Sequence, residues 1–211
     1  MIKEQMNKYL IIYASCIPPV MIVIFTIMSN IFEKKLGYFL PYGIYLTILA
    51  VGIIIFSKGT EKMREKECKY RYMYYCLSFF PALATFCVAF LPTVSHMNLK
   101  LFLILLVYAC VNGSLEELFW RGAFVRVYGD DFRKSYVIPT IIFSCWHFAL
   151  LFAKGVTYNG GGVALVGGAC VMGAIWGFVM YKTRKIEIVI GAHVLVNFFA
   201  FSQLIYENWF R

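Results

Sequence analysis

The chain has 211 residues, 61% of them hydrophobic, and a formal net charge of +9, with a mean hydropathy of +0.72. Soluble domains are about 45–50% apolar, so a water-soluble globular fold is excluded. Seven cysteines, at 16, 68, 76, 87, 110, 145 and 170, stand singly without a C-x-x-C pair; they read as small buried hydrophobes rather than as a disulfide framework or a metal site.

A helix needs about 20 apolar residues to cross a bilayer, and seven stretches come close to or meet that length. The first covers 9–29. It follows the basic segment Met1 to Lys8, and no small-residue cleavage site comes after it, so it reads as a span rather than a removed signal. The second covers 36–57. The polar run SKGTEKMREKECKYR (57–71) then reads as a solvated connector beside anionic headgroups. The third and fourth spans cover 72–92 and 99–119, and a shorter fifth covers 136–153. After the flexible turn GVTYNGGG (155–162), the sixth covers 162–181 and the seventh 186–206. Gly173 and Gly177 form a GxxxG on the sixth, a signature of close helix packing. The expected fold class is all-α: a polytopic transmembrane helical bundle of about seven spans, one integral membrane domain over 1–211 with no internal repeat.

Among the 20 Lys and Arg residues, all but Lys34, Lys35, Lys100, Lys154 and Arg211 fall on segments that share a side with the N-terminus. The positive-inside rule therefore predicts the N-terminus inside and the C-terminus outside. The charge is topological: membrane lipid is an expected partner, and nucleic acid is not.

Ionisable residues within spanning helices cost roughly 2.5–3.5 kcal/mol each, so each needs a reason. Glu116 and Glu117, Arg121, His147, His193 and the marginal Glu187 are such residues, with Asn112 and Asn197 as buried amides; all lie on spans four, five and seven. At the helical rise, Glu116 lies about 7 Å from Arg121, taken as the cytoplasmic mouth, His193 about 10 Å in from Ile186, and His147 about 16 Å in from Tyr136. Three helices can thus bring a carboxylate and two imidazoles into one polar cavity, expected to open to the cytoplasm. Glu117 and Arg121 are spaced i,i+4 with the acid first, the better orientation for an ion pair. Glu116 is turned about 100° away, so the two acids should not share a partner, which should leave Glu116 free to hold a water. His193 and Asn197 share a helix face, as do Phe143 and His147. A carboxylate near histidine suits general-base work, and an imidazole N–H beside an amide can donate to a developing oxyanion. Asn112, one turn above Glu116, either orients it or hydrogen-bonds between helices. Trp120 and Trp146 read as packing aromatics, and His96 as a surface residue.

EELFWR (116–121) fits an EExxxR motif, FSCWH (143–147) an FxxxH motif and HVLVN (193–197) an HxxxN motif. Their order over residues 112–197 resembles the CPBP family of intramembrane proteases, which includes CAAX-processing endopeptidases and bacterial bacteriocin-processing and self-immunity (Abi) proteins. The resemblance implies a glutamate-dependent, metal-independent peptidase with its catalytic helix core at 99–206. Glu116 would activate water with His147 assisting, His193 and Asn197 would form the oxyanion hole, and Glu117 and Arg121 would support the site.

Three rivals stand beside this. Two His and two Glu match zinc in ligand type, although no H-E-x-x-H occurs and Arg121 would repel a cation; no cofactor is expected otherwise. A non-catalytic membrane partner, as in bacteriocin self-immunity, would need no chemistry at all. A transporter would show symmetry between halves, whereas the polar residues here lie in one half. Lys-, Ile-, Phe- and Tyr-rich usage suggests an AT-rich bacterial genome. The expected location is therefore a bacterial plasma membrane. The expected substrate is a bacteriocin, pheromone precursor or leader peptide rather than a CAAX tail, with a peptide exporter as a candidate partner.

Overall fold

Backbone N–H and C=O groups in hydrocarbon have no water to pair with, so a spanning chain must satisfy them internally. The computed structural model describes residues 2–57 and 65–211, with side chains from Lys8 onward. The expected seven spans and all-α class are borne out. Among the described residues there is no strand, and seven helices are long and apolar enough to cross a membrane: α1 Lys8–Ile31, α2 Lys34–Ser57, α3 Arg71–Phe90, α4 Leu99–Tyr128, α5 Arg133–Phe152, α6 Gly161–Thr183 and α7 Ile186–Phe210. Most of the polar connector, residues 58–64, lies outside the described residues.

α4 runs further than the hydropathy pattern suggests. Through Leu118–Ala123 it loosens into a π-helical stretch and then continues to Tyr128, stopping at Gly129, which takes a positive φ of 60°. Arg121 interrupts the apolar run in the sequence, but it is only 2% exposed because Glu117 pairs with it inside the bundle. It is an interior residue, not the mouth of the site.

Contacts fix the two ends of the bundle. At one end Lys66 and Arg184 both bond Asp130, and Lys185 pairs with Glu65; this is the basic end. At the opposite end the Ser29 hydroxyl donates to the Phe152 carbonyl at 3.0 Å, Asn208 Nδ2 donates to the Thr157 carbonyl at 2.8 Å, and Asn159 Nδ2 donates to Gln203 Oε1 at 2.7 Å.

One apolar cluster joins α1 and α2 to α4 and α5 through Met21, Phe25, Tyr45, Phe119, Trp120 and Trp146; a second joins α6 and α7 through Trp176, Met180, Val189 and Ala192. The GxxxG glycines do pack closely. A Cβ on Gly173 would lie 3.0 Å from Phe143 Cδ1, and one on Gly177 2.9 Å from Thr140 Oγ1, so α5 sits directly on α6.

The cysteines depart from expectation. Cys16, Cys76, Cys87, Cys110, Cys145 and Cys170 are exposed, and all seven are free thiols. In a membrane bundle the outward face is bathed in hydrocarbon, so a weakly polar thiol is as well placed there as in the core.

Candidate active site

The site is assembled where α4, α5 and α7 meet under α2. Glu116 and Glu117 sit on adjacent positions of α4 and are 1% and 0% exposed. Across from them, α7 presents His193. Its Nδ1–H donates to Glu117 Oε1 at 2.7 Å, and its Nε2 lies 3.3 Å from Glu116 Oε2. The imidazole is therefore held between two carboxylates, one on each nitrogen. Trp176 stacks on its face at 4.3 Å between centroids, which fixes the ring plane. This differs from the expectation that the two acids could not share a partner. A 100° turn separates their directions on the helix, but an imidazole lying between them offers nitrogens on two sides and reaches both.

Glu117 Oε1 also accepts from Arg121 Nη1 at 2.9 Å, so the expected i,i+4 pair forms. The guanidinium carbon lies over the Phe143 ring, 4.2 Å from its centre. Glu116 is not free. Its Oε1 accepts a hydrogen bond from the Tyr45 hydroxyl at 2.7 Å, and that hydroxyl accepts from Trp120 Nε1 at 3.0 Å. Tyr45 in turn stacks on Trp146 at 3.6 Å. Trp120 and Trp146 are both fully buried, in keeping with a packing role. Asn112 does not bond Glu116; its Nδ2 donates to the Tyr42 hydroxyl at 3.0 Å.

On α5, His147 Nδ1 lies 2.9 Å from the Phe143 carbonyl oxygen. A carbonyl only accepts, so Nδ1 carries a proton, and in the neutral ring Nε2 keeps its lone pair. Asn197 is 7% exposed, and its Nδ2 has no hydrogen-bond partner among the described residues. Glu187 is exposed in the first turn of α7. His96, also exposed, stacks on Tyr206 at the opposite end.

Glu116, His147, His193 and Asn197 all line one cavity of ≈ 100 Å³. A water needs about 10–15 Å³ on that measure, so several fit. The cavity floor is formed by Glu116, Phe143, Trp176 and His193, and its walls rise past Leu150, Leu165 and Leu204 to Tyr158. It thus extends toward the opposite end. Toward the basic end the floor is sealed by buried Glu117, Arg121, Trp120 and Phe124. The expectation of a mouth at the basic, cytoplasmic side was reckoned from Arg121 as the rim; α4 continues seven residues beyond it to Tyr128, adding about 10 Å of packed helix.

Sequence reading missed α2. Tyr38, Tyr42 and Tyr45 are all buried, and two of them touch site residues or their neighbours. Their i, i+4, i+7 spacing puts three hydroxyls on one face of a mostly apolar helix, which is the signal that could have found them.

Among the described residues, no group of three or more His, Cys, Asp or Glu side chains is arranged to hold a metal ion. Both nitrogens of His193 are taken up by carboxylates, and His147 Nδ1 by a carbonyl.

Fold and site together define a multi-pass helical membrane protein with an acid–imidazole cavity buried inside the bundle. Residues 98–199 match a family model described as type II CAAX prenyl endopeptidase Rce1-like. The matched segment runs from the start of α4 into α7 and holds all three motifs, so this part of the chain is similar to the CPBP family. The match supports a protease, and hence a peptide or protein substrate. Neither a curated protein nor a solved structure matches the chain.

Proposed function

We propose that the chain hydrolyses a peptide bond inside the bilayer, with Glu116 as the base. The observation that carries this reading is the shared cavity. A carboxylate clamped by Tyr45 and His193, an imidazole with a free Nε2, and an amide donor without a partner face the same space. Glu116 takes a proton from a water whose second hydrogen is accepted by His147 Nε2. The water oxygen bonds to the scissile carbonyl carbon, and the carbonyl π electrons move onto its oxygen. That oxyanion accepts hydrogen bonds from Asn197 Nδ2 and His193 Nε2–H, donors of the kind worth about 3–4 kcal/mol in such sites. The carbonyl re-forms, the C–N bond breaks, and the proton held on Glu116 passes to the leaving amine.

Arg121 and Glu117 position His193 rather than react. No metal takes part in this reading, because Arg121 places a fixed cation beside the acids that a metal would need. The family's name points to CAAX tails of prenylated proteins, while the compositional hint of a bacterial plasma membrane favours a leader or bacteriocin precursor. Both are peptides held at a membrane.

The test uses purified protein in nanodiscs with a pool of quenched-fluorescence peptides. Glu116→Gln keeps the shape and removes the base, and should abolish turnover, while the wild type keeps its activity in a strong chelator. Wild-type activity in the variant would refute the assignment of Glu116, and loss on chelation restored by zinc would replace it with a metal mechanism.

A further inference from the structure

A second, larger cavity of ≈ 370 Å³ lies on the side of the bundle, between α3, α6 and α7. α3 and α6 meet in the basic half, where Trp176 Nε1 donates to the Ser78 carbonyl at 3.0 Å and Tyr74 meets Phe178 at 5.9 Å. In the other half they part around the groove. Its outer wall is Ala84 and Val88 on α3 and Ala164 and Gly168 on α6; its inner wall is the row that also lines the Glu116 cavity, Leu165, Met172, Val196, Ala200 and Leu204. The two spaces share a wall of apolar side chains, which Tyr158 and Phe201 complete.

We propose that substrate enters the Glu116 cavity sideways through this groove, with an apolar stretch of its own peptide chain lying between α3 and α6. The inference rests on the proteolytic reading of the site. Three observations lead to it. The floor of the catalytic cavity is sealed toward the basic end, so access comes from elsewhere. The groove is walled by small and aliphatic residues and lies in the membrane half opposite the basic end, so its occupant is apolar where it crosses that half. Amide side chains stand at both ends: the buried Asn197 with its unpartnered Nδ2 on the cavity side, and the bonded pair Asn159–Gln203 at the outer lip. Amides are what a peptide backbone pairs with in a water-poor site, whereas a lipid acyl chain would use none of them. Gly168 is then a specificity-determining position. A Cβ there meets only Met172 Cε, at 3.7 Å, so a larger side chain projects into the groove without displacing backbone.

The test has a binding arm and a turnover arm. In the binding arm, Val88→Trp on a Glu116→Gln background reports from the groove mouth in liposomes of brominated phosphatidylcholine. An added leucine-flanked decapeptide should relieve bromine quenching of this tryptophan, and a serine-flanked one should not; adding Gly168→Leu, which fills the groove without a second fluorophore, should cancel the relief. Quenching unchanged by either peptide means that lipid fills the groove, which overturns the proposal. In the turnover arm, Gly168→Trp in the otherwise wild-type chain should raise KM for leucine-flanked quenched peptides about tenfold, with kcat and serine-flanked peptides unchanged. Gly167→Trp, where a Cβ meets nothing within 4 Å, should change neither. Equal loss on both peptide sets, or no loss on either, refutes the groove. If wild-type protein cuts neither set, the proteolytic reading fails while the quenching arm still decides what the groove holds.

Discussion

The tightest structural constraint on the site is a glycine that no motif contains. Gly113 on α4 faces α7 one turn from Glu116. A Cβ there would lie 3.0 Å from the backbone nitrogen and Cγ2 of Val194, and 3.2 Å from its Cα. Ordinary contact begins near 3.4 Å, so Gly113→Ala must push the two helices apart by a few tenths of an ångström, and two of the three obstructing atoms are backbone that cannot rotate away. Val194 is the neighbour of His193, whose Nε2 is already 3.3 Å from Glu116 Oε2. The same displacement carries that contact past hydrogen-bond range. A misplacement of 1 Å in a catalytic group can cost about 10²-fold, so a fraction of that predicts a loss of roughly tenfold in turnover. Overpacking should lower stability by about 1–3 kcal/mol. Turnover of quenched peptides and the thermal midpoint in detergent measure the two effects. Gly43→Ala, where a Cβ meets nothing within 4 Å, is the control and should match wild type. Turnover within twofold of wild type in Gly113→Ala would refute the argument that the α4–α7 spacing sets the acid–imidazole geometry.

Tyr45→Phe removes the donor to Glu116 and the acceptor for Trp120. A hydrogen bond to a charged group is worth about 1.5–3 kcal/mol and an orphaned buried N–H costs about 1–3 kcal/mol, so turnover should fall at least tenfold and the thermal midpoint should drop; wild-type turnover would rule out the clamp. Arg121→Met leaves Glu117 buried without its cation, a loss of about 3–5 kcal/mol, and should fail to give monodisperse protein; adding Glu117→Gln should recover folding but not activity, and no recovery would mean that the two do not act as a pair. Asp130, outside the spans, has its carboxyl held below the usual range, first by the hydrogen bond from Lys66 and then by Arg184. A depressed folded value contributes stability above the unfolded value of about 3.9 and loses it as pH falls through the folded value. The difference in thermal midpoint between wild type and Asp130→Asn should therefore be small at pH 7, because the pair is mostly exposed, and should shrink as the pH falls below the usual carboxylate range; a difference that grows toward low pH would refute the clamp.

The sequence revealed the bundle and most of the site for one physical reason: hydrocarbon makes every buried charge expensive, so the few that occur stand out. Glu116, Glu117, Arg121, His147, His193 and Asn197 were found that way and do converge. What stayed hidden was carried by residues that hydrocarbon does not penalise. A tyrosine reads as apolar in a hydropathy count, so Tyr45 went unseen although its hydroxyl touches the candidate base. The cysteines were placed inside because burial in water-soluble proteins equates apolar with interior, an equation that a lipid exterior breaks. The direction of the cavity depended on side-chain packing around Arg121, and helical rise alone gives depth without telling which side is plugged.

The buried charges make sense as a set. Glu117 and Arg121 cancel, which leaves Glu116 and His193 facing each other across 3.3 Å. With one proton shared between those two, the cluster is neutral whichever of them holds it. On the proposed mechanism, the base carboxylate begins opposite an imidazolium. When Glu116 gains the water's proton, the negative charge reappears on the substrate oxyanion, still beside the same imidazolium. The net charge of the cavity does not change through the step, only the position of the negative end. In a medium of low dielectric, where an uncompensated ion costs several kcal/mol, that is a condition for the reaction to proceed at all. It explains why Arg121 belongs under the site although it does not line the cavity: without it, an imidazolium between two carboxylates would leave one buried negative charge uncancelled at every stage.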